Sequence, residues 1–472
     1  MNFIKPDLHS RRAFLRRTAQ LGLAGTATPF ALNLAAIGEA AAFTATDYKA
    51  LVCVFLYGGN DYANTVITYD DDSYKKYAAI RTSIAEKKAD LAATLLSPTT
   101  ALPGGRQYAL HPAMTGMAGL FNAGKAAVQL NVGPLVAPLT RAQYSSGDRL
   151  KYPLPPKLFS HNDQQSVWQS DSAEGSTVGW GGHMGDLAMS SNTTSQFTCM
   201  SLGGGVFMSG ETALDYRVST AGAVRIEPIG ASTLYRSSAV RNALASLIQE
   251  SRTHVLENEY NRVTKRSVES AEVISAALAN ATLTTAFAGD GLSAQLQTVA
   301  RLIKARSALG VKRQVFLVTL GGFDVHDGLM TRQPALLTKV SAAMTAFYNA
   351  TVEMGIAEQV TAFTASDFGR TLTSNGDGSD HGWGGHHFVV GGAVNGKAFY
   401  GKAPPVSVTN TSAAEDQWHV GAGRLLPSTS VDQYAATLAK WFGVSASELP
   451  AVLPNLGNFG NADYPTDLGF MA

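Results

Sequence analysis

The sequence predicts an α/β fold built on a doubly wound, mostly parallel sheet flanked by helices, with a helical insertion. Three observations carry that reading: short runs rich in Val, Phe and Leu recur, each stops at a polar or glycine turn, and amphipathic stretches lie between them. Lys49 to Leu56 (KALVCVFL) is the first run and breaks at Tyr57-Gly58-Gly59-Asn60-Asp61. Ala126 to Val132 (AAVQLNV) precedes Gly133-Pro134. Gln314 to Leu320 (QVFLVTL) breaks at Gly321-Gly322, and Gln359 to Thr364 (QVTAFT) at Ser366-Asp367-Phe368-Gly369. A fifth strand begins at Phe388 to Val390. Continuous apolar strands are the pattern of a sheet covered on both faces and joined by right-handed crossovers.

The helices are read from period and composition. In Gln333 to Met354, Leu336, Val340, Met344 and Phe347 fall on one face, and this helix links two strands. From Ser237 to Leu309 the chain is long, polar and mostly free of Gly and Pro, so two or three helices are expected in an insertion around 237–309. Val431 to Phe442 (VDQYAATLAKWF) reads as a late helix on the sheet, while Ser190 to Ser195 and Ser374 to Ser379 read as surface loops.

The N-terminus bears on destination. Ser10-Arg11-Arg12-Ala13-Phe14-Leu15-Arg16-Arg17 sets an arginine pair ahead of the apolar stretch Leu21 to Ala36, and Ala40, Ala41 and Ala42 suit a cleavage site. The expectation is a twin-arginine signal peptide over 1–42, with the twin-arginine translocase as partner and a periplasmic or secreted bacterial protein as product. One large domain would then span 43–472. With 37 Lys and Arg against 36 Asp and Glu, no basic face advertises nucleic acid and no polybasic tail advertises anionic lipid. No later segment reaches the ~20 apolar residues of a membrane span. Cys53 sits in the first apolar run, where a buried thiol is the ordinary reading; an oxidising compartment permits a bond to Cys199 without requiring one.

In open α/β sheets the ligand site lies beyond the carboxyl ends of the strands. Those exits supply Asn60 and Asp61, then Asp324, His326 and Asp327, then Asp367 and Arg370, then Asp380, His381, His386 and His387. Converging carboxylates and imidazoles without a nearby thiolate suit a divalent cation: Zn, Mn, Mg or Ca. Each element also has a structural reading. Gly58 to Asp61 is equally a tight turn with a capping Asp; Asp324 with His326 has the alternative of a helix start with a surface histidine, but so many ionisable groups at one strand exit favour a ligand role. Arg370 is either a clamp for a phosphate or sulfate oxygen or one half of an ion pair. Ser160 is either a helix cap or a nucleophile at a helix N-terminus, with His161 beside it as proton carrier. A redox enzyme loaded before export is disfavoured, because no GxGxxG follows a strand and no haem or iron–sulfur cysteine pattern is present.

The motifs LYGGND, LHPAM at Leu110 to Met114, SHNDQQSVWQS, TLGGFDVH, ASDFGRT, DHGWGGHHFVVGGAVNGKAFYG and WFGV, in that order, resemble the domain of unknown function 1501 family. That family is similar in fold to the alkaline phosphatase and sulfatase superfamily, which implies an alkaline phosphatase-like domain with a metal-dependent hydrolase site. The resemblance places Asp61 as the metal ligand after the first strand and Ser160 at the nucleophile position. It makes Asp324 and His326 one Asp/His pair, Asp367 the next carboxylate and His381 the last imidazole. The chain departs from the superfamily at Asp367-Phe368, where those hydrolases usually show Asp-His, and in the close spacing of 324 and 326. Ser379-Asp380-His381-Gly382 matches their SDHG element but follows a loop. The expected function is an exported metal-dependent hydrolase of phosphate or sulfate esters, of small molecules or glycans, with Ser160 or a water attacking. The alternative is a non-catalytic exported protein that binds a glycan or an envelope partner in the same pocket.

Overall fold

A computed structural model describes residues 45–289 and 291–472. The expected signal peptide and its cleavage site lie outside the described residues. Twelve strands are named in chain order: β1 Lys49–Leu56, β2 Val66–Thr68, β3 Tyr108–Leu110, β4 Ala126–Gly133, β5 Cys199–Ser201, β6 Tyr216–Ser219, β7 Gly222–Ala223, β8 Arg313–Leu320, β9 Val360–Ser366, β10 Gly385–Gly391, β11 Phe399–Tyr400 and β12 Thr429–Ser430. Ten of them form one sheet in the order β11-β4-β10-β9-β1-β8-β5-β6-β7, with β12 also paired to β4, and β2 pairs with β3 apart from it.

β1 is central because both its neighbours are parallel strands matched to it along nearly its whole length, β8 on one side and β9 on the other. Within the sheet β10 runs against β9 and β4, and β7 runs against β6; the other pairings are parallel. The reversal of β10 matters for the site, since it puts the start of that strand, not its end, beside the carboxyl ends of β9 and β4.

Both faces are covered. Ala50, Val52 and Val54 of β1 enter one apolar layer with the helices Gly291–Lys304 and Leu329–Glu353, while Leu51, Cys53 and Phe55 enter the other with Trp180–Ala188 and Val431–Phe442. This alternation is the period-2 geometry of a strand, and it explains why a strand buried on both faces reads as an unbroken apolar run. Each such Val, Leu or Phe contributes about 1.5–3 kcal/mol by leaving water.

The helix expected from Gln333 begins one turn earlier, at Leu329 after left-handed Gly328, and holds Val340, Met344 and Phe347 in the core. The segment 237–309 contains the helices Ser238–Leu247, Val255–Ala279 and Gly291–Lys304, and the last of these is a layer helix of the sheet. Cys53 and Cys199 are free buried thiols. Among the described residues no helix is long and apolar enough to cross a membrane.

Candidate metal centre

The exits of β1 and β8 meet so closely that only glycine fits between them. Gly58 has φ +115°, and a Cβ there would lie 2.2 Å from the backbone nitrogen of Asp324. Arg370, wholly buried, ties the junction together. Its Nε donates to the Gly59 carbonyl at 3.0 Å, Nη1 to the Ser379 carbonyl at 2.7 Å, and Nη2 to the Gly58 carbonyl at 3.2 Å and to the Asp324 carboxylate. Every nitrogen of the guanidinium is therefore engaged by the protein, which removes the expectation that Arg370 clamps a substrate oxygen and leaves its ion-pair reading.

Three imidazoles gather around Asp324. His161 opens the helix His161–Ser170, and its Nδ1 lies 2.6 Å from Asp367 Oδ2. His326, in the loop after β8, sets Nδ1 3.1 Å from Asp380 Oδ1, and His381 sets Nδ1 2.8 Å from the Phe159 carbonyl. Because each Nδ1 faces an acceptor, the proton is assigned there, and each Nε2 keeps its lone pair. Those lone pairs converge: His381 Nε2 is 3.0 Å from the Nε2 of His161 and 3.0 Å from that of His326. Asp324 Oδ1 is 3.0 Å from His326 Nε2 and 3.4 Å from the Nε2 atoms of His161 and His381. Ligand atoms ~2.0–2.1 Å from a common zinc ion stand about 3.3 Å apart, and the ligand atoms of His161, Asp324 and His381 all lie within 4.8 Å of one another, so these three could hold one cation, with His326 Nε2 3.0 Å from two of them. Each Nε2 pair at 3.0 Å is also within hydrogen-bond reach, where a proton on one nitrogen bonds to the lone pair of the other, so the same atoms can share a proton or a cation.

The surroundings set the charge of each group. The Asp367 hydrogen bond is the main reason the His161 pKa is raised, with burial opposing it. Burial lowers that of His381 against the pull of the Phe159 carbonyl. For Asp324 partial burial acts upward, yet the Arg370 guanidinium beside it prevails and the pKa falls. Asp380 behaves alike: burial is opposed, and outweighed, by the hydrogen bonds from Asn375 and His326. Asp324 and His326 keep 46% and 43% of their side-chain surface exposed, so the cluster opens to solvent.

Asp367 is fully buried, and its Oδ2 accepts from the Gly58 N–H at 3.1 Å and Gln165 Nε2 at 2.8 Å as well as from His161. It orients an imidazole instead of joining the convergent atoms, as does Asp380 on His326. Phe368 lies with its ring centroid 4.8 Å from those of His161 and His381, an apolar wall where the resemblance leads one to look for another histidine.

Other candidates lie elsewhere. Asp61 is buried, bridged to Arg81 Nη2 at 2.6 Å, bonded by Ser379 Oγ at 2.6 Å, and caps the turn at Asn64. Ser160 Oγ donates to Asp163 Oδ2 at 3.0 Å, at the head of the helix and turned to that carboxylate. His386 and His387 are both 4% exposed, in β10, where burial pushes their pKa values down to about 3. His386 Nδ1 accepts from the Asn131 N–H at 3.0 Å, and the His387 ring packs 4.8 Å from Trp168. The segment expected as a surface loop at 374–379 ends buried, since Ser379 is 0% exposed and a Cβ on Gly378 would meet the His326 carbonyl carbon at 2.3 Å.

Sequence reasoning missed Arg81, Gln165, Phe159 and Asn375, each of which fixes a cluster member or a neighbour. Gln165 carried a signal: it stands four residues after His161, one helical turn along the same face. Phe159, at φ +73°, carried none, because an aromatic residue is rarely placed in the left-handed region by sequence alone.

No curated protein matches the chain. Among solved structures it is similar to the PsFucS1 sulfatase from Pseudoalteromonas sp., at 9% identity and a TM-score of 0.34 over 86% of this chain and 69% of that one. It is also similar to Ps i-CgsB in complex with k-i-k-neocarrahexaose, at 9% identity and a TM-score of 0.32 over 87% of this chain and 77% of that one. A mutant of the alkaline phosphatase PafA matches at 10% identity and a TM-score of 0.26, over 70% and 64% of the two chains. The family model described as protein of unknown function DUF1501 matches residues 48–450, nearly the whole of the described chain, and the protein belongs to that family.

Proposed function

We propose that the protein is an exported, single-cation hydrolase of phosphate or sulfate esters, with the cation held by His161, Asp324, His326 and His381. The observation that supports this reading is the gathering of the ligand atoms of His161, Asp324 and His381 within 4.8 Å of one another, with His326 Nε2 3.0 Å from the last two and the far side of each group held by the protein. Three imidazoles favour Zn or Mn over Mg or Ca, which take oxygen ligands. The ester class rests on the sequence resemblance to the alkaline phosphatase and sulfatase superfamily, and export on the arginine pair Arg11-Arg12.

The bound cation would polarise a phosphoryl or sulfuryl oxygen. The chain's own residues orient the donors: Asp367 and Asp380 hold two imidazoles by Nδ1, and Arg370 holds Asp324. In the net reaction water adds its oxygen to phosphorus or sulfur, and the ester oxygen leaves as an alcohol carrying one of water's protons. Water is the nucleophile in this reading, because Ser160 Oγ is committed to Asp163.

The test is elemental analysis of protein exported and purified without added metal, followed by a phosphatase and sulfatase screen before and after chelation. About one equivalent of Zn or Mn, with turnover that chelation abolishes, is the expected result. Metal without turnover on any ester would leave the binding-protein alternative, and no metal would overturn the site. A double variant Arg11→Lys with Arg12→Lys is expected to remain in the cytoplasm; normal processing would remove the export claim.

A further inference from the structure

An ester hydrolase needs a cation for the non-bridging oxygens of the phosphoryl or sulfuryl group that passes to water, and the arginine that the sequence offered for this is used up. Arg370 is enclosed by three carbonyls and Asp324, and Arg81 is buried against Asp61 at 2.6 Å. Arg424 differs from both. Its Nε donates to the His381 carbonyl at 2.8 Å, and its guanidinium carbon lies 5.3 Å from the centroid of the Phe159 ring. These contacts use one nitrogen and one face of the plane. Among the described residues no carboxylate lies within 4.0 Å of its guanidinium, and its two Nη groups are bonded to nothing.

The backbone is built to put that side chain where it is. Gly421, Ala422 and Gly423 all have positive φ, at 102°, 51° and 67°, and a Cβ on Gly423 would lie 2.4 Å from the Leu372 Cβ. Ala422 in the left-handed region costs energy that the surroundings must offset, and such strain gathers at working sites. The turn closes with the Arg424 N–H on the Gly421 carbonyl at 2.9 Å, and the next residue, Leu425, accepts from the Gly384 N–H at 2.9 Å, which fastens it to the loop that carries His381. Phe159, on which the guanidinium rests, is the residue whose carbonyl holds His381 Nδ1. Arg424 is thus tied to the backbone of His381 and rests on the residue whose carbonyl holds that imidazole.

We propose that Arg424 takes the anionic head of the substrate, presenting its two free Nη groups as a fork to a pair of phosphoryl or sulfuryl oxygens beside the His161, Asp324, His326 and His381 cluster. This rests on the hydrolase reading. Substrates that lack such an oxygen pair, carboxylic esters among them, gain nothing from the fork.

The experiment is calorimetric titration of the metal-loaded full chain with inorganic phosphate and with inorganic sulfate, on wild type, Arg424→Ala and Arg424→Lys, with metal content measured in each. The expected result is anion affinity lower by about 10- to 100-fold in R424A, partial recovery in R424K, and unchanged metal in all three. Equal affinity in R424A with its metal retained overturns the role of Arg424 and leaves the hydrolase reading standing. Metal lost from R424A with wild-type metal intact also overturns it, since the residue would then act by holding His381. A metal-loaded wild type that binds neither anion overturns the hydrolase reading and this inference together. Should R424A fail to fold, R424K decides between these outcomes, because lysine keeps the charge and removes the fork.

Discussion

Two stretches of one glycine-rich segment, Ser379 to Trp383 and Gly385 to Gly391, carry the same residue type to opposite fates. His381, in the first, is half-buried and aims Nε2 at His161, His326 and Asp324; His386 and His387, in the second, are strand residues packed on opposite faces of the sheet. His386 faces Tyr62, with ring centroids 5.0 Å apart, and His387 faces Trp168. The difference teaches that a histidine's role follows from what its second nitrogen meets. His381 has a carbonyl on one nitrogen and other donors on the other. His386 has a strand N–H on Nδ1, and His387 has Nδ1 3.4 Å from the Thr364 hydroxyl within an aromatic layer.

The comparison is broken most directly at the ligands. His381→Ala and His326→Ala are each expected to lose about 100-fold or more in metal affinity, while His387→Phe keeps its metal, all read by elemental analysis. Metal retained in both ligand variants would dissolve the distinction. Next in size, His387→Ala is expected to lower unfolding stability by about 2–4 kcal/mol in a denaturant titration, by leaving a cavity against Trp168 and Tyr434 with metal content unchanged. A stability loss confined to the metal-loaded form would instead place His387 with the site.

A smaller effect sharpens the role of the orienting carboxylates. Asp380→Asn removes the charged acceptor on His326 Nδ1 and is expected to weaken metal binding by about 10- to 100-fold, short of the ligand variants. The smallest is a pH slope. His386 and His387 are held neutral in the folded chain, with pKa values pushed down to about 3 by burial, whereas an unfolded imidazole takes its proton near ~6.5. The unfolded chain therefore binds more protons between those values, so their contribution is full above the unfolded pKa and is lost as the pH falls through the window. Each histidine accounts for on the order of 1 kcal/mol per pH unit there. His387→Phe should flatten the acid limb of a stability profile, and an unchanged slope would show that the residue titrates freely.

Strand placement was legible in the sequence for a physical reason. β1, β4, β8 and β9 are buried on both faces, so most positions are apolar or small and the run stands out against its surroundings, while the buried Gln129, Asn131 and Gln314 are hydrogen-bonded. The short strands β5, β6, β7, β11 and β12 were not legible, since two to four residues carry no period. At the site, the sequence determined which residue types gather, because the exits of parallel strands necessarily share one edge of the sheet. It pointed to Asp324, His326, His381 and His161 by that rule or by motif.

What the tertiary structure alone decided is which of those groups face one another. Asp61 stands at a strand exit like Asp324, yet Arg81 claims it; Arg370 reads as a substrate clamp, yet three carbonyls enclose it; Arg424, forty-three residues past His381, reads as nothing in particular, yet it follows a left-handed turn and bonds the His381 carbonyl. Residue type and strand order are properties of local sequence, which period and composition expose. Pairing between side chains is settled by backbone φ, by burial and by which partner arrives within hydrogen-bond reach, and these depend on contacts between segments that the linear chain keeps apart.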